Sequence, residues 1–156
     1  MNEVWKKPPI ALEAYQAMVG KELEPSEWLE VTQERIDAFA DATDDHQWIH
    51  VDPERAAEGP FGTTIAHGFL TLSLCVPLLS EALADLPPSS MSINYGTNKV
   101  RFPAPVPAGS RIRARVTVAS VDEVPGGEQA VFVMTIEREG GEKPVCVAEL
   151  VLRRLA

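Results

Sequence analysis

The chain of 156 residues has few cysteines, few aromatic residues and a shortage of positive charge. Its two cysteines, Cys75 and Cys146, match no metal-binding or redox spacing and lie in apolar runs, which predicts buried thiols in a reducing cytoplasm. The 23 acidic and 14 basic side chains give a net charge of -9, which repels nucleic acid and anionic lipid. We therefore expect no nucleic-acid partner and no membrane partner.

No segment has the features of a membrane anchor or an export signal. The N-terminus lacks a continuous apolar stretch followed by a cleavage site. The most apolar segment, residues 61–83, is interrupted by His67, Ser73 and Pro77, and its uncharged part is shorter than the roughly 20 residues that span a bilayer. Dinucleotide and phosphate-loop motifs are missing as well. These absences predict a cytoplasmic protein that uses no cofactor.

The overall composition is that of an ordinary globular protein. Apolar residue types make up 45% of the chain and charged types 24%. A chain of this length buries roughly 70% of the surface that it exposes when unfolded, so it needs no disulfide or metal to be stable. We expect one domain over residues 1–156.

Apolar spacing and turn residues predict a mixed structure of helices followed by strands. Helices are predicted over residues 11–19, from the cap Thr32 to just before Asp41, over 53–58 and over 67–83. Strands are predicted over residues 28–31, 91–102, 111–121, 129–138 and 144–153. Glycine-rich turns between the last three strands indicate antiparallel hairpins.

The predicted helix over residues 67–83 determines the expected fold class. Its apolar residues point in nearly every direction around the helix axis, so little of it can face water. In the second long strand, Arg111, Arg113 and Arg115 alternate with apolar residues, which is typical of a strand with one solvated face. We therefore predict an α+β fold, in which a curved antiparallel sheet is wrapped around a central apolar helix.

The densest polar cluster is the segment TDDHQWIHVDP at residues 43–53. One interpretation is a solvated acidic loop whose histidines pack locally. A second is a metal site, because His46 and His50 have i, i+4 spacing, with Asp45 or Asp52 as a third ligand. The apolar residues between the two histidines and the proline after them indicate irregular backbone, which disfavours the metal site, and we predict none.

A third interpretation of this segment is general acid–base catalysis. A carboxylate and an imidazole on one rigid loop can hold a water molecule between them and exchange protons with a substrate. The free N–H groups at His67, Gly68 and Phe69, at the start of the apolar helix, can polarise a carbonyl oxygen on which negative charge develops. Gly68 has no side chain to block the approach of a ligand.

Three ordered segments resemble one known family. Residues 43–53, the segment GPFGTTIAHGFLTLSL and the segment NYGTNKVRFPAPVPAG resemble the signatures of MaoC-like (R)-specific enoyl-CoA hydratases, and the Gln-Trp-Ile-His variant is similar to the nodulation-protein-N-like branch. The resemblance spans about residues 36–120. It implies a hotdog fold and a homodimer in which the two sheets join.

The resemblance also implies roles for individual residues. Asp45 and His50 align with the catalytic pair, the backbone N–H of Gly68 with the group that faces the thioester carbonyl, and Ser73 with a residue that supports the site by hydrogen bonding. The loop departs from the family pattern at three positions, where Asp44 replaces glycine, Gln47 replaces asparagine and Trp48 replaces proline.

Further residues are expected at the substrate. Gln47 keeps the amide of the family's asparagine with a longer reach, and His67 begins the apolar helix. Asn98, Lys99 and Arg101 belong either to the solvated face of a strand or to the contacts with the phosphates of coenzyme A (CoA). We count all five as substrate-binding residues.

These observations predict an (R)-specific enoyl-CoA hydratase that reversibly adds water to a trans-2-enoyl thioester carried by CoA or acyl-carrier protein. The (R) product follows from the resemblance. In this hypothesis Asp45 takes a proton from water as the water attacks C3, and His50 delivers a proton to C2. Two alternatives remain open: a hotdog thioesterase, and a non-catalytic acyl-thioester-binding or partner subunit, which the departures in the loop suggest.

Overall fold

A computed structural model describes residues 12–84 and 91–155, and its strands form an antiparallel sheet. The strands are β1 (Leu29–Val31), β2 (Met91–Arg101), β3 (Ser110–Val124), β4 (Gly127–Arg138) and β5 (Cys146–Leu155). Their order across the sheet is β1-β3-β4-β5-β2. The long strand β2 therefore lies at one edge and the three-residue β1 at the other.

The helices of the described residues lie before the long strands in the chain. They are α1 (Leu12–Gln16), α2 (Gln33–Thr43), α3 (Trp48–Val51), α4 (Pro53–Ala57) and α5 (Gly68–Ala82). None of them is long and apolar enough to cross a bilayer.

The core lies between α5 and the inner face of the sheet. The buried residues of α5 are Leu70, Thr71, Leu74, Cys75, Leu78 and Leu79. They face strand residues such as Ile112, Val116 and Phe132, which are fully buried. Burial of a large apolar side chain stabilises the fold by roughly 1.5–3 kcal/mol, so this contact fixes the position of α5 against the sheet. The predicted α+β architecture is confirmed.

The outer face of the sheet carries the charged residues that the alternation in β3 predicts. Arg111, Arg113 and Arg115 form ion pairs with Glu139, Glu137 and Glu22 respectively. Ile112 and Ala114, which alternate with them, are fully buried.

One side of α5 is not covered by the sheet. Phe69 is 70% exposed, and Ser73 and Val76 lie on the same open side. The sequence predicted a helix surrounded on nearly every side, and within this chain the prediction is wrong for that one stripe. The five-stranded sheet curves around only part of the helix, and the remaining apolar surface lies next to the free edge at β2.

Two elements differ from the sequence-based prediction in the polar segment. Helix α2 does not end before Asp41 but continues to Thr43, where the Thr43 hydroxyl donates a hydrogen bond to the carbonyl of Phe39. Residues 48–51, predicted as irregular, form the one-turn helix α3. The Arg55 guanidinium, in the following helix α4, lies 4.4 Å from the centre of the Trp48 ring, and this cation–π contact stabilises the turn.

The predicted turn between β3 and β4 is present, and both of its glycines are needed. Gly126 has a φ of 83°, in the left-handed region that favours glycine. A Cβ at Gly127 would come within 2.0 Å of the carbonyl oxygen of Arg154 on the neighbouring strand β5. Cys75 and Cys146 are both buried and free, as predicted.

Asp44 ends α2 in a left-handed conformation, with φ 58° and ψ 23°. The family pattern has glycine here, and the conformation supplies the physical reason. Aspartate is one of the few other residues that tolerate it, because its short polar side chain can hydrogen-bond locally. The substitution of Asp44 for glycine therefore leaves the turn that leads to Asp45 in place.

Substitutions at Asp44 test this account of the turn. Asp44→Gly is expected to leave the free energy of unfolding within about 1 kcal/mol of the wild-type value, since glycine is unstrained here but loses more entropy on folding. Asp44→Val is expected to lower it by about 1–2 kcal/mol, because its branched Cβ crowds the carbonyl. Urea unfolding measures both. Equal stability of the two variants would contradict the strain argument.

Candidate active site

His50 lies at the centre of the site, in the one-turn helix α3, and only 6% of its surface is exposed. Its Nδ1 is 2.7 Å from the carbonyl oxygen of Ile65. A carbonyl oxygen only accepts hydrogen bonds, so Nδ1 carries a proton and donates it. In the neutral ring, Nε2 is then left with a free lone pair and can accept a proton.

The surroundings of His50 favour this neutral form. Burial lowers the pKa of His50 below its ordinary value of 6.5, and the neighbouring His67 adds to the lowering. The hydrogen bond to Ile65 and the Asp45 carboxylate act in the opposite direction without outweighing the burial.

Asp45 brings a carboxylate to the same place. Its side chain is about half exposed, and one of its oxygens lies 4.0 Å from Nε2 of His67. Side-chain atoms of Asp45, His50 and His67 that can bind a proton or a metal all lie within 4.8 Å of one another. The sequence predicted that Asp45 and His50 converge, and the structure brings their side chains together at the edge of the protein surface.

His67 lies beneath these two residues rather than at the surface. It is 2% exposed, its Nε2 is 2.9 Å from the backbone carbonyl oxygen of Asp45, and its ring stacks on that of His50 with 3.8 Å between centroids. Its place among the substrate-binding residues stays a prediction. Its ring is buried and contacts both Asp45 and His50.

A network that the sequence did not predict holds the backbone of His50. The side-chain amide of Gln33, at the start of α2, donates to the His50 carbonyl at 2.8 Å and to the Asp37 carboxylate at 2.8 Å. The hydroxyl of Thr64, which is 2% exposed, donates to the Gln33 amide oxygen at 2.5 Å. Gln33 lies 17 positions before His50 and 31 positions before Thr64, so no local sequence pattern indicates that these residues meet.

The pattern of contacts does not favour a metal site. His46, a proposed ligand, turns away and pairs with Asp41 at 2.8 Å, and Asp52 caps α4 by accepting from the Arg55 N–H. The rings of His50 and His67 are stacked with 24° between their planes. The two ring planes are therefore nearly parallel, whereas the in-plane lone pairs of two histidines on one metal converge on a point about 2.0–2.1 Å from each nitrogen.

The N-terminus of α5 opens on a cavity of about 280 Å³. Gly68, Ile65, Val106 and Phe102 contribute to its wall. Gly68 is the first residue of a 15-residue helix, so its N–H is among those without a partner inside the helix. A Cβ at this position would lie 3.1 Å from the Phe102 ring. The carbonyl of Ile65 joins this cavity to His50, because it accepts the hydrogen bond from Nδ1.

The other predicted site residues lie further out. The Ser73 hydroxyl donates to the Phe69 carbonyl at 2.8 Å. Ser73 also lines a second cavity, of about 230 Å³, between α5 and strands β2 and β5. Gln47 is exposed and its side chain caps nothing. Among the described residues, no hydrogen bond or ion pair connects Asn98, Lys99 or Arg101 to the acid–base cluster. All three are exposed on β2, and the residue after Arg101 is the Phe102 that covers Gly68.

Comparison with known proteins assigns this arrangement to a family. The family model described as the MaoC like domain matches residues 14–139. The chain belongs to the MaoC-like family. Among the relatives of this MaoC-like protein, 3-hydroxyacyl-thioester dehydratase Z of Mycobacterium tuberculosis is 54% identical over 141 residues, which cover 90% of this chain and 93% of the relative. Nodulation protein N of Rhizobium leguminosarum bv. viciae is 46% identical over 142 residues, which cover 89% of this chain and 88% of that relative.

Solved structures give the same assignment for the fold. The (R)-hydratase of A. caviae involved in PHA biosynthesis superposes with a TM-score of 0.71 at 28% identity, and the match covers 88% of the MaoC-like protein and 96% of the hydratase chain. The monoamine oxidase regulatory protein of Archaeoglobus matches with a TM-score of 0.78 at 28% identity over 95% and 96% of the two chains. The predicted family, its likeness to nodulation protein N and the predicted hotdog fold are confirmed.

The Gln33 network predicts a difference between two glutamines of the same region. Gln33→Met leaves the buried hydroxyl of Thr64 without its acceptor and the His50 carbonyl without this donor, so we expect the free energy of unfolding to fall by about 1–3 kcal/mol. Gln47→Met, at an exposed position without a side-chain cap bond, is the control and is expected to change stability by less than about 0.5 kcal/mol. Chemical unfolding of both variants measures the difference. Similar values for the two would mean that the network does not hold His50.

Proposed function

We propose that the MaoC-like protein catalyses the reversible interconversion of a 3-hydroxyacyl thioester and a trans-2-enoyl thioester, on CoA or on acyl-carrier protein, with the (R) configuration at C3. The broad class is given by the relatives, since a dehydratase is 54% identical and an (R)-hydratase shares the fold. The chain is a hydro-lyase. The observation that carries the finer proposal is the convergence of Asp45 and His50, whose ring is hydrogen-bonded to Ile65, a residue that lines the cavity at Gly68.

The protonation state of His50 suggests how the proton moves. In dehydration, the free Nε2 of neutral His50 takes the proton from C2, and the N–H of Gly68 stabilises the negative charge that develops on the thioester oxygen. The C3–O bond then breaks, and the proton on Nε2 passes to the departing hydroxyl on the same face. The products are the enoyl thioester and water, and the residues return to their starting states.

Hydration runs through the same steps in reverse. Water gives a proton to Nε2 of His50 as its oxygen attacks C3, and Nε2 returns the proton to C2. Asp45 accepts a hydrogen bond from the water and stabilises the positive charge on His50 while the ring holds the proton. This assignment departs from the sequence-based hypothesis, in which Asp45 took the proton from water. The reason is that the hydrogen bond at Nδ1 leaves Nε2 of the neutral ring ready to accept.

The rest of the proposal concerns where the substrate lies. The cavity at Gly68 gives the thioester room beside the α5 amides, and Arg101 lies one residue from the Phe102 that lines it. Lys99 and Arg101 are proposed to contact the phosphates of CoA, with Asn98 and Gln47 at the edge of the site and Ser73 supporting it from the second cavity. The reaction is placed in the cytoplasm, in agreement with the two free buried thiols.

The proposal includes a homodimer formed through β2. This strand lies at the edge of the sheet, and every one of its residues except Val100 is exposed, including the apolar Met91, Ile93 and Tyr95. A long apolar edge strand is an open site for pairing with another chain. The uncovered side of α5, with Phe69 and Val76, is continuous with it through the second cavity. Antiparallel pairing of two β2 strands about a twofold axis would cover both surfaces.

Activity measurements test the catalytic pair. Asp45→Asn and His50→Gln are each expected to slow the hydration of crotonyl-CoA by at least about a hundredfold, because His50→Gln removes the group that transfers the proton and Asp45→Asn removes the charge that stabilises the protonated ring. His46→Gln is the matched control, because His46 is a histidine of the same loop that pairs with Asp41 instead. The loss of enoyl absorbance measures the rate, and chiral analysis of the product tests the (R) configuration.

The same assay separates the alternatives. Near-normal turnover in folded Asp45→Asn or His50→Gln would contradict the assigned pair. Release of free thiol from saturated acyl-CoA, without hydration, would indicate a thioesterase. Thermal stabilisation by enoyl-CoA without turnover at any chain length would indicate a binding or partner subunit.

The dimer is tested by placing charge on the proposed interface. Ile93→Glu and Val76→Glu are each expected to convert the dimer to monomer, because a buried unpaired carboxylate at an interface costs more than the apolar contact contributes. Val19→Glu is the control, since Val19 is 42% exposed, close to the 40% of Val76, but lies in the turn after α1. Light scattering coupled to size-exclusion chromatography gives the molar mass. A monomeric wild type, or dimeric variants at both positions, would overturn the interface.

A further inference from the structure

His67 connects the two halves of the candidate site. Its backbone caps α5, whose first amides face the cavity at Gly68, and its side chain reaches back to the loop that carries Asp45. The side chain does not cap its own helix. It bonds to the Asp45 carbonyl instead, so it does not occupy the free N–H groups at the start of α5.

Two contacts of the His67 ring hold Asp45 and His50 in place. The Nε2–H donates to the backbone carbonyl of Asp45, and this hydrogen bond ties the loop that carries Asp45 to the start of α5. The face of the ring packs against His50, and another side of it packs against Phe39 of α2, with 4.9 Å between ring centroids. The imidazole is therefore held between an apolar ring and the His50 ring, with little freedom to rotate.

The tautomer of His67 follows from the same contacts. Because the Asp45 carbonyl can only accept, the proton of the neutral ring lies on Nε2 and the lone pair on Nδ1. The Nδ1 atom is buried and has no hydrogen-bond partner among the described residues. A buried polar atom without a hydrogen-bond partner lowers the stability of the fold. Such an atom is tolerated where other contacts hold the rest of the side chain in place.

We propose that His67 is a positioning residue, which fixes the distance between the acid–base pair and the α5 amides without touching the substrate. The inference rests on the proposed function, since it assigns His67 a part in the same reaction. It replaces the expectation that His67 binds substrate. A flat ring is needed to support His50 and a donor is needed to hold Asp45, and histidine supplies both in one side chain.

The groups that face His50 are few. They are the Asp45 carboxylate from the loop after α2, the His67 ring from the start of α5 and the Ile65 carbonyl before it. From α2, Gln33 contacts the His50 carbonyl, and the charged group nearest to that contact is the Asp37 carboxylate, which accepts from the same Gln33 amide. Removing His67 therefore takes away one of the two influences that lower the pKa of His50, and the pKa is expected to move up towards its ordinary value.

Two variants separate the contacts. His67→Phe keeps a flat buried ring under His50 and removes the donor to Asp45, whereas His67→Gln keeps a donor and removes the ring. Each is expected to lower kcat for crotonyl-CoA hydration by about ten- to a hundredfold, the scale of a small misplacement of reacting groups, with KM changed by less than about twofold. Because the proposed reaction needs neutral His50, the acidic limb of the pH–rate profile is expected to move to higher pH in both.

Cys75→Ala is the control for a general loosening of α5, because Cys75 is a fully buried residue of the same helix whose thiol bonds to the Thr71 carbonyl and not to His67, Asp45 or His50. It is expected to lower the melting temperature while leaving the pH profile where it is. A rise in KM at unchanged kcat in the His67 variants would mean that His67 touches the substrate. Unchanged kinetics, or a loss of rate with an unmoved pH profile as in Cys75→Ala, would also overturn the positioning role.

Titration of the His50 ring by NMR gives a readout that does not depend on activity. The resonance is identified by its loss in His50→Gln. If the wild type has no hydration activity, the proposed function fails. The positioning role is then still supported by a rise in the pKa of His50 in both His67 variants, and overturned by an unmoved one. If His67→Phe does not fold, as judged by circular dichroism, His67→Gln decides.

Discussion

The hydrogen bond from Nδ1 of His50 to the carbonyl of Ile65 is the contact on which the proposed chemistry of this protein depends. It fixes the ring in one orientation and one tautomer, so that the free nitrogen is the one available to a substrate. It also joins two parts of the chain, because Ile65 precedes α5 and its N–H returns a hydrogen bond to the carbonyl of Ile49. The acid–base loop and the entrance of the cavity are thereby held together by backbone groups.

Around that contact the protein builds a support from neutral polar side chains. Gln33 and Thr64 hold the backbone of α3 from the side of α2, and His67 holds the Asp45 carbonyl from below. The arrangement places a half-exposed carboxylate next to a buried imidazole, and this imidazole is hydrogen-bonded to the segment that leads into the first amides of α5. Such an arrangement suits a reaction in which a proton moves and charge develops on an oxygen, because fixed dipoles need no reorganisation as the charge appears.

The departures from the family pattern in the loop preserve its geometry for identifiable reasons. Asp44 adopts the left-handed conformation that glycine adopts most easily, and Trp48 occupies the first position of a short helix, where proline is common. Trp48 contributes in addition a contact with Arg55 that proline lacks. The fold leaves the apolar side of α5 and the free edge of β2 uncovered. In the proposed dimer, the second chain covers both surfaces.

The sequence alone determined the elements and the candidate pair. Period-two alternation in β3, the apolar helix α5 and the glycine turn before β4 are local patterns, and motif spacing indicated Asp45, His50 and Gly68. Only the tertiary structure decided how these residues are used. The network of Gln33 with Thr64 and His50, and the inward position of His67 with its bond to the Asp45 carbonyl, depend on residues brought together by folding. Local spacing carries no information about such contacts, because their energy comes from burial and hydrogen bonds between elements distant in the chain.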